Sequence, residues 1–588
     1  MMQSLKPLYS SFRESFSKDF YLPQCGVVGA PVVMTPVEDA SSLALLTSEC
    51  PPQNALLRVN AALDVVGADG VPVGSLYRVL SLCTRTLPVL CVDSADTVPA
   101  LAAFLCDNRV ADAILCASYA NRALLREACR AMPVLRGMLD CRGETLPEPA
   151  ALPGHLVSFG AVMAIFDADF CTRSAVHAMQ QRFLHVICPD SCGQAAAAAK
   201  GVNGILTSNP AACYRLLERF PENSFLRMHS LYAHKGFQNE GRFSENTISS
   251  VRAAGRAGFD GSEIDVKMTV DGVPIVMHNL NTKGLFDCEE KIIEESTYGE
   301  LAPLRRIGFP QEGVDRFEDL MPAMREFPDT PVLIEFKPNA KYNRLEEMVA
   351  QTGEILSRPT SQQHCIGIMG ALLPGLGYVR AQLPTLPLAH CECVRELTPP
   401  RGRAEAEDRL YRLAFLTAGW AAGYNPEDVM VNRLFYEYAK MRGLTLFPWS
   451  RSWTLAPSRW EQNGPSCDRT FLSGYDAWTT DHGEMYLHLP ARLEAPAELP
   501  TLRAGERFRP EGVCWMRDGT RQQTGTDLLV LEGELTSHGD GSWSAPRAGC
   551  VTAMLMQTLE LHFGDRYRIF SEPFCLHIDS GDATGIKS

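Results

Sequence analysis

The sequence lacks any uncharged apolar run long enough to cross a bilayer, and its opening stretch, MMQSLKPLYSSFRESFSKDF, has no signal-peptide core. Secretion and stable membrane insertion are therefore not expected, and a cytoplasmic location is. Basic residues are in deficit: 55 Lys and Arg stand against 69 Asp and Glu, a formal charge of −14. A nucleic-acid partner rewards the opposite balance, so none is expected. The deficit still permits a small phosphorylated substrate, because a bound cation reverses the local field. Clustered cysteines are missing too. The 20 cysteines are scattered, and the closest pair, Cys391 and Cys393, lacks zinc-knuckle spacing. In a reducing compartment they read as small buried apolar side chains. Nothing resembles disorder, with 46% hydrophobic and 21% charged residues.

What is present is alternation. The 588 residues exceed what one core organises, so two or three domains are expected. Between Cys25 and about Phe220, VVGAPVVM, LPVLCVD, ADAILCA, VLRGML, AVMAIFDA, FLHVICP and NGILTS read as buried strands. ANRALLREACRAM and SAVHAMQQRF between them carry helical spacing. So many strand–helix units predict a closed parallel barrel. From Leu231 the pattern restarts, with LYAHKG, GSEIDVKM, VPIVMHN, PVLIEFK, HCIGIMG, LPLAHCE, DVMVN, LTLFPWS and DAWTTD as strands. TISSVRAAGRAG and RLFYEYAKMRG are its helical spacers. Two short matches keep their order between the halves: Asp69-Gly70-Val71-Pro72 with Asp271-Gly272-Val273-Pro274, and Pro88-Val89-Leu90 with Pro331-Val332-Leu333. Duplication is the reading. After about Pro490, period-two alternation in DLLVLEGEL, VTAMLMQTLELHF and YRIFSEPFCLHI predicts an antiparallel β unit, with a helix as the alternative for the second.

Chemistry collects in the second half. Glu263 and Asp265 lie two apart on one predicted strand and so share a face. Inside a barrel they repel unless a positive charge sits between them, and a hard divalent cation takes oxygen ligands. A solvated edge strand is the competing view. His278 ends the next predicted strand, and strand C-termini form the active face of parallel barrels. Glu335 and Lys337 again share a face, as a carboxylate ligand and a substrate contact or as a surface ion pair. His234 and Lys235 end a further strand before Gly236.

AHKGF, then SENT, then EIDVKMTVDGVPIVMHN, and later LIEFK, together resemble the glycerophosphodiester phosphodiesterase family over about residues 231–486. The resemblance implies a TIM barrel that hydrolyses a glycerophosphodiester to glycerol 3-phosphate and an alcohol, with Ca²⁺ or Mg²⁺. It places the acid–base histidines on His234 and His278, and the metal ligands on Glu263, Asp265 and Glu335. It also places Glu245 and Lys337 at the substrate. Lys235 stands where the family has Arg, and Asn279 where it has Asp. Lys235 joins the substrate side through its charge, and Trp449 is a possible pocket wall, with core packing its alternative.

Aligned through Asp-Gly-Val-Pro, the first half puts Ala61, Leu63 and Leu76 opposite Glu263, Asp265 and His278. The Pro-Val-Leu match puts Val92 opposite Glu335. The expected chain is therefore α/β: two tandem TIM-type (β/α)8 barrels followed by a small all-β unit. The first, over residues 1–228, is degenerate and silent; the second, over 229–490, is the phosphodiesterase; residues 491–588 form a β-sandwich-like tail. The expected partner is a small phosphodiester. Two rival readings are a phospholipase of C or D type, and a scaffold of decayed barrels.

Overall fold

The computed structural model describes residues 19–238, 243–338, 341–342, 344–358, 365–369, 373–392, 399–417, 419, 421–449, 468–481 and 483–580. Cys393 and the first 18 residues lie outside them.

In the first half, eight parallel strands close on themselves. They are β1 (Val32–Pro36), β2 (Asn54–Val59), β3 (Leu87–Val92), β4 (Ile114–Ser118), β5 (Arg136–Asp140), β6 (Ala161–Ile165), β7 (His185–Pro189) and β8 (Gly204–Leu206). The order runs β1-β8-β7-β6-β5-β4-β3-β2, and β1 pairs with β2 to shut the ring. β2 is absent from the strands expected from sequence. Its run begins at polar Asn54 and is broken by exposed Arg58, which hides the apolar signal. Asn54 is nevertheless buried, and its Nδ2 donates to the Met441 carbonyl of the second half at 2.9 Å.

The second half supplies β9 (Ser230–Ala233), β10 (Gly261–Met268), β11 (Val332–Phe336), β12 (Cys365–Met369), β13 (Leu388–Glu392), β14 (Gly423–Pro426), β15 (Thr445–Leu446) and β16 (Ala477–Thr480). These eight are parallel in the order β15-β14-β13-β12-β11-β10-β9-β16. The two end strands meet through a parallel bridge between Trp449 and Thr479 and through Asp476 N–H donating to Leu446 O at 2.9 Å.

Two expected strands are different in kind. VPIVMHN forms only Pro274–Val276, antiparallel to β10 and off the path of parallel strands. The Asp271-Gly272 turn folds the chain back directly, leaving no length for a crossover helix. DVMVN holds a short 3-10 turn at Asp428–Met430, and the strand is the preceding Gly423–Pro426. Its Pro and Gly residues conceal it from a hydrophobicity count.

The Asp-Gly-Val-Pro match is also a match of conformation. Gly70 and Gly272 both sit at φ +80°. Gly67 N–H bonds to Val71 O and Gly70 N–H to Gly67 O; Thr269 N–H bonds to Val273 O and Gly272 N–H to Thr269 O. The strand registers, however, shift the expected equivalences. Pairing sets Val89 beside Leu56 and Val332 beside Ser262. Through Pro-Val-Leu, Leu57 and Val59 therefore stand where Glu263 and Asp265 do. Ala61 and Leu63 fall in the turn after β2, with Leu63 at φ +62°.

The halves pack through a common core that joins Met34, Val89 and Met138 to Tyr424, Phe435 and Phe447. Phe183 stacks on Phe447 at 4.7 Å. After Leu489 all described elements are strands. Gly549–Glu560, the stretch with a helical alternative, is the longest of them, paired with three neighbours. This tail has a small core of its own at Leu502, Val551, Leu576 and Ile578. It shares a larger one with Leu231, Ala254 and Trp478 of the second half. Cys550 and Cys575 are disulfide-bonded within the tail. Among the described residues, no helix is long and apolar enough to cross a membrane.

Candidate active site

β9 delivers His234 at its C-terminal end, and β16, hydrogen-bonded beside it, delivers Asp481. His234 Nδ1 lies 2.7 Å from Asp481 Oδ1, and its Nε2 faces Glu263 Oε2 at 3.9 Å. Because a carboxylate only accepts, Nδ1 carries a proton and Nε2 points to the site. Burial lowers the His234 pKa, but Asp481, aided by Glu263, outweighs it and the pKa rises to about 9. Gln238 Nε2 also donates to Asp481, at 2.7 Å. Neither Asp481 nor Gln238 was singled out in the sequence. A Thr-Asp at the end of the last strand was the available signal for the first.

The turn after His234 is tightly built. Lys235 adopts φ +55° and Gly236 φ +76°, and a methyl on Gly236 would lie 2.1 Å from Ser250 Oγ. That packing turns Lys235 N–H onto Glu263 Oε2 at 2.9 Å. Lys235 Nζ meets Glu245 at 3.2 Å. Asn246, the residue after Glu245, also has positive φ, +52°. Its amide makes two bonds to Asp265, Nδ2 to the carboxylate and Oδ1 to the backbone N–H, each 2.9 Å. Buried Arg306 holds this loop by donating to Asn246 O at 3.0 Å. Asn246 is a third candidate site residue that the sequence reading leaves out, although it stands inside the SENT motif.

Glu263 and Asp265 share a face of β10 as the two-residue rule requires, and Glu335 joins them from β11. One oxygen of each lies within 4.8 Å of the other two. Lys337 Nζ bonds Asp265 at 2.8 Å and Glu335 at 3.0 Å. Its charge is therefore spent on the acids in this arrangement. Asp265 is held well below the usual carboxylate range: burial acts against it, but Lys337 and His278 prevail. Glu263 receives no ammonium bond, and burial followed by the charge of Asp265 pushes it up to about 8. Its Oε1 is buried without a hydrogen-bond partner. An unpartnered oxygen among three converging carboxylates fits the donor set of a hard divalent cation.

His278 follows the antiparallel hairpin and arrives at the same mouth, close enough for Asp265, Lys337 and Lys235 to act on it. Its Nδ1 lies 2.9 Å from Asn279 Oδ1, so with that oxygen accepting, Nε2 keeps its lone pair. Burial holds the His278 pKa below its ordinary value. Trp449 is half-buried at the junction of the end strands, with backbone bridges to Glu427 and Thr479. Its indole N–H has no partner.

Parallel strands thus end in a mouth with two imidazoles of opposite protonation tendency beside a three-carboxylate cage. Residues 234–451 match the model of the glycerophosphoryl diester phosphodiesterase family. Among curated proteins, glycerophosphodiester phosphodiesterase 1 of Rattus norvegicus is 40% identical over 50 residues, 8% of this chain and 14% of that protein. A glycerophosphodiester phosphodiesterase of Bacillus altitudinis is 36% identical over 80 residues, 13% of this chain and 29% of the relative. The chain thus aligns with less than a third of the length of either. Among solved structures, an Oleispira antarctica phosphodiesterase in complex with sn-glycerol-3-phosphate is 20% identical, with TM-score 0.34, covering 44% of this chain and 94% of its own. A Galdieria sulphuraria protein described as a glycerophosphodiester phosphodiesterase is 16% identical, with TM-score 0.36, covering 44% and 97%.

Proposed function

We propose that residues 229–490 form a phosphodiesterase barrel that hydrolyses small glycerophosphodiesters to glycerol 3-phosphate and an alcohol. The observation that carries this reading is the convergence of His234, His278, Glu263, Asp265 and Glu335 on one mouth. Glu263, Asp265 and Glu335 would hold Ca²⁺ or Mg²⁺, which when bound neutralises the non-bridging oxygens of the substrate phosphate. Lys235 supplies further positive charge beside that position, tethered by Glu245. Lys337, which bonds Asp265 and Glu335, would reach the phosphate if those acids held a cation instead.

His278 is the general base. Its Nε2 takes the proton of the attacking hydroxyl as a new P–O bond forms. His234, held as an imidazolium by Asp481, gives its Nε2 proton to the alcohol oxygen as the old P–O bond breaks. The amide at Asn279 suits the base role, because it orients the ring and raises its pKa less than a carboxylate would. Trp449 walls the pocket. We read the first ring as a diverged copy without catalysis, since Leu57 and Val59 occupy its acid positions. The test is release of glycerol 3-phosphate from a panel of glycerophosphodiesters, with and without EDTA. His278→Ala and Glu263→Ala should abolish a metal-dependent turnover. Undiminished activity in both, or none in the parent with either metal, overturns the reading.

A further inference from the structure

A cavity separate from the carboxylate cage lies where both rings and the tail meet. It encloses about 290 Å³, at the small end of ligand pockets and too small for a dinucleotide. Its wall takes Arg173 and Lys200 from the first ring, Arg227 from the connecting segment, and Arg492 and Arg517 from the tail; Asp260 is its one lining carboxylate. Three of the cations have acidic partners at hydrogen-bond distance. Arg227 bonds Asp476 at 2.6 Å, Arg492 meets Glu494 at 3.0 Å, and Arg517 pairs with Asp260.

The other two are different. Arg173 spends its guanidinium on three carbonyls, Ala199 at 2.7 Å, Leu493 at 3.2 Å and Phe570 at 3.0 Å. Its ion pair with Glu572 is a loose one, at 3.8 Å to an exposed side chain. Lys200 Nζ donates to the carbonyl of Ala168 at 2.6 Å. A carbonyl satisfies a donor without cancelling its charge, so the wall keeps a net positive field in partly buried surroundings. Arg517 adds a buried Nε without a partner. Excess charge of this kind is costly to hold in the free protein and is relieved by an anion with several acceptor oxygens.

We propose that this junction is a second, non-catalytic site that binds a phosphate group, free or on a small phosphomonoester. The proposal does not rest on the activity of the second ring. Because the ligand would touch both rings and the tail, its binding ties them together and raises the melting temperature.

The test is titration calorimetry of the full chain in EDTA with inorganic phosphate, glycerol 3-phosphate and glycerol as separate probes. Lys200→Gln should weaken phosphate binding about tenfold or more and remove the rise in melting temperature. Arg492→Gln, on the tail side of the wall, should weaken it severalfold and serves if the first variant misfolds. Glu263→Gln should leave this binding intact. Tighter binding of glycerol 3-phosphate identifies a phosphomonoester and tighter inorganic phosphate the free ion; either supports the site. Isotherms unchanged in both cavity variants, binding lost in Glu263→Gln, or no phosphate binding at millimolar concentration overturns it.

Discussion

Replacing Asp481 by Asn tests the acid role of His234 with little change of shape. The amide oxygen can still accept from Nδ1–H at the present 2.7 Å, and Gln238 can still donate to it. Only the charge is lost. His234 stands at about 9 against an ordinary 6.5, although burial pulls it down. That displacement is worth about 3 kcal/mol in favour of the imidazolium. Without the carboxylate, burial dominates and the pKa should fall to its ordinary value or lower. Nitrogen-15 resonances of His234 in metal-free protein report the shift directly. In the metal-loaded enzyme the alkaline limb of kcat/KM should move down by at least about two pH units, a loss of about a hundredfold on that side. An imidazole titration and an alkaline limb both unmoved in Asp481→Asn would refute the electrostatic account of His234.

Asn279→Asp should do the converse for His278. A carboxylate at the present 2.9 Å raises the ring's pKa, and the acid limb of the rate profile moves up by about one pH unit. The metal-free fold should lose stability with rising pH. A carboxyl raised in the folded state, as Glu263 is from 4.5 to about 8, contributes stability intact below 4.5 and lost as pH climbs through 8. His234, raised from 6.5 to about 9, acts in the same direction at higher pH. Thermal melts in EDTA should therefore fall across this window, and added Ca²⁺ should flatten the trend. Glu263→Gln should raise the alkaline melting temperature of the metal-free protein while abolishing turnover, a stabilisation obtained by deleting function. Gly236→Ala should cost about 1–3 kcal/mol in backbone strain alone, with further loss from the clash with Ser250. Circular dichroism melts and activity together check it.

The sequence by itself determined the local facts. Period two put Glu263 with Asp265 and Glu335 with Lys337 on shared strand faces, and chain order kept the two Asp-Gly-Val-Pro turns alike, because spacing fixes direction along one strand. It also proposed His278, but on a premise the fold corrects: the residue comes from an antiparallel hairpin, not from a strand of the parallel sheet. Only the tertiary structure decided which distant residues meet. Asp481 lies 247 positions from His234, and Asn246 reaches Asp265 through a loop with positive φ, so neither pairing leaves a periodic trace. Under the proposed duplication, register likewise sets Leu57 and Val59, not Ala61 and Leu63, opposite Glu263 and Asp265, since a turn of variable length separates motif from strand. The cationic junction was invisible for the same reason. Its charges are dispersed along the chain, and their excess exists only where packing gives Arg173 and Lys200 carbonyls as hydrogen-bond acceptors.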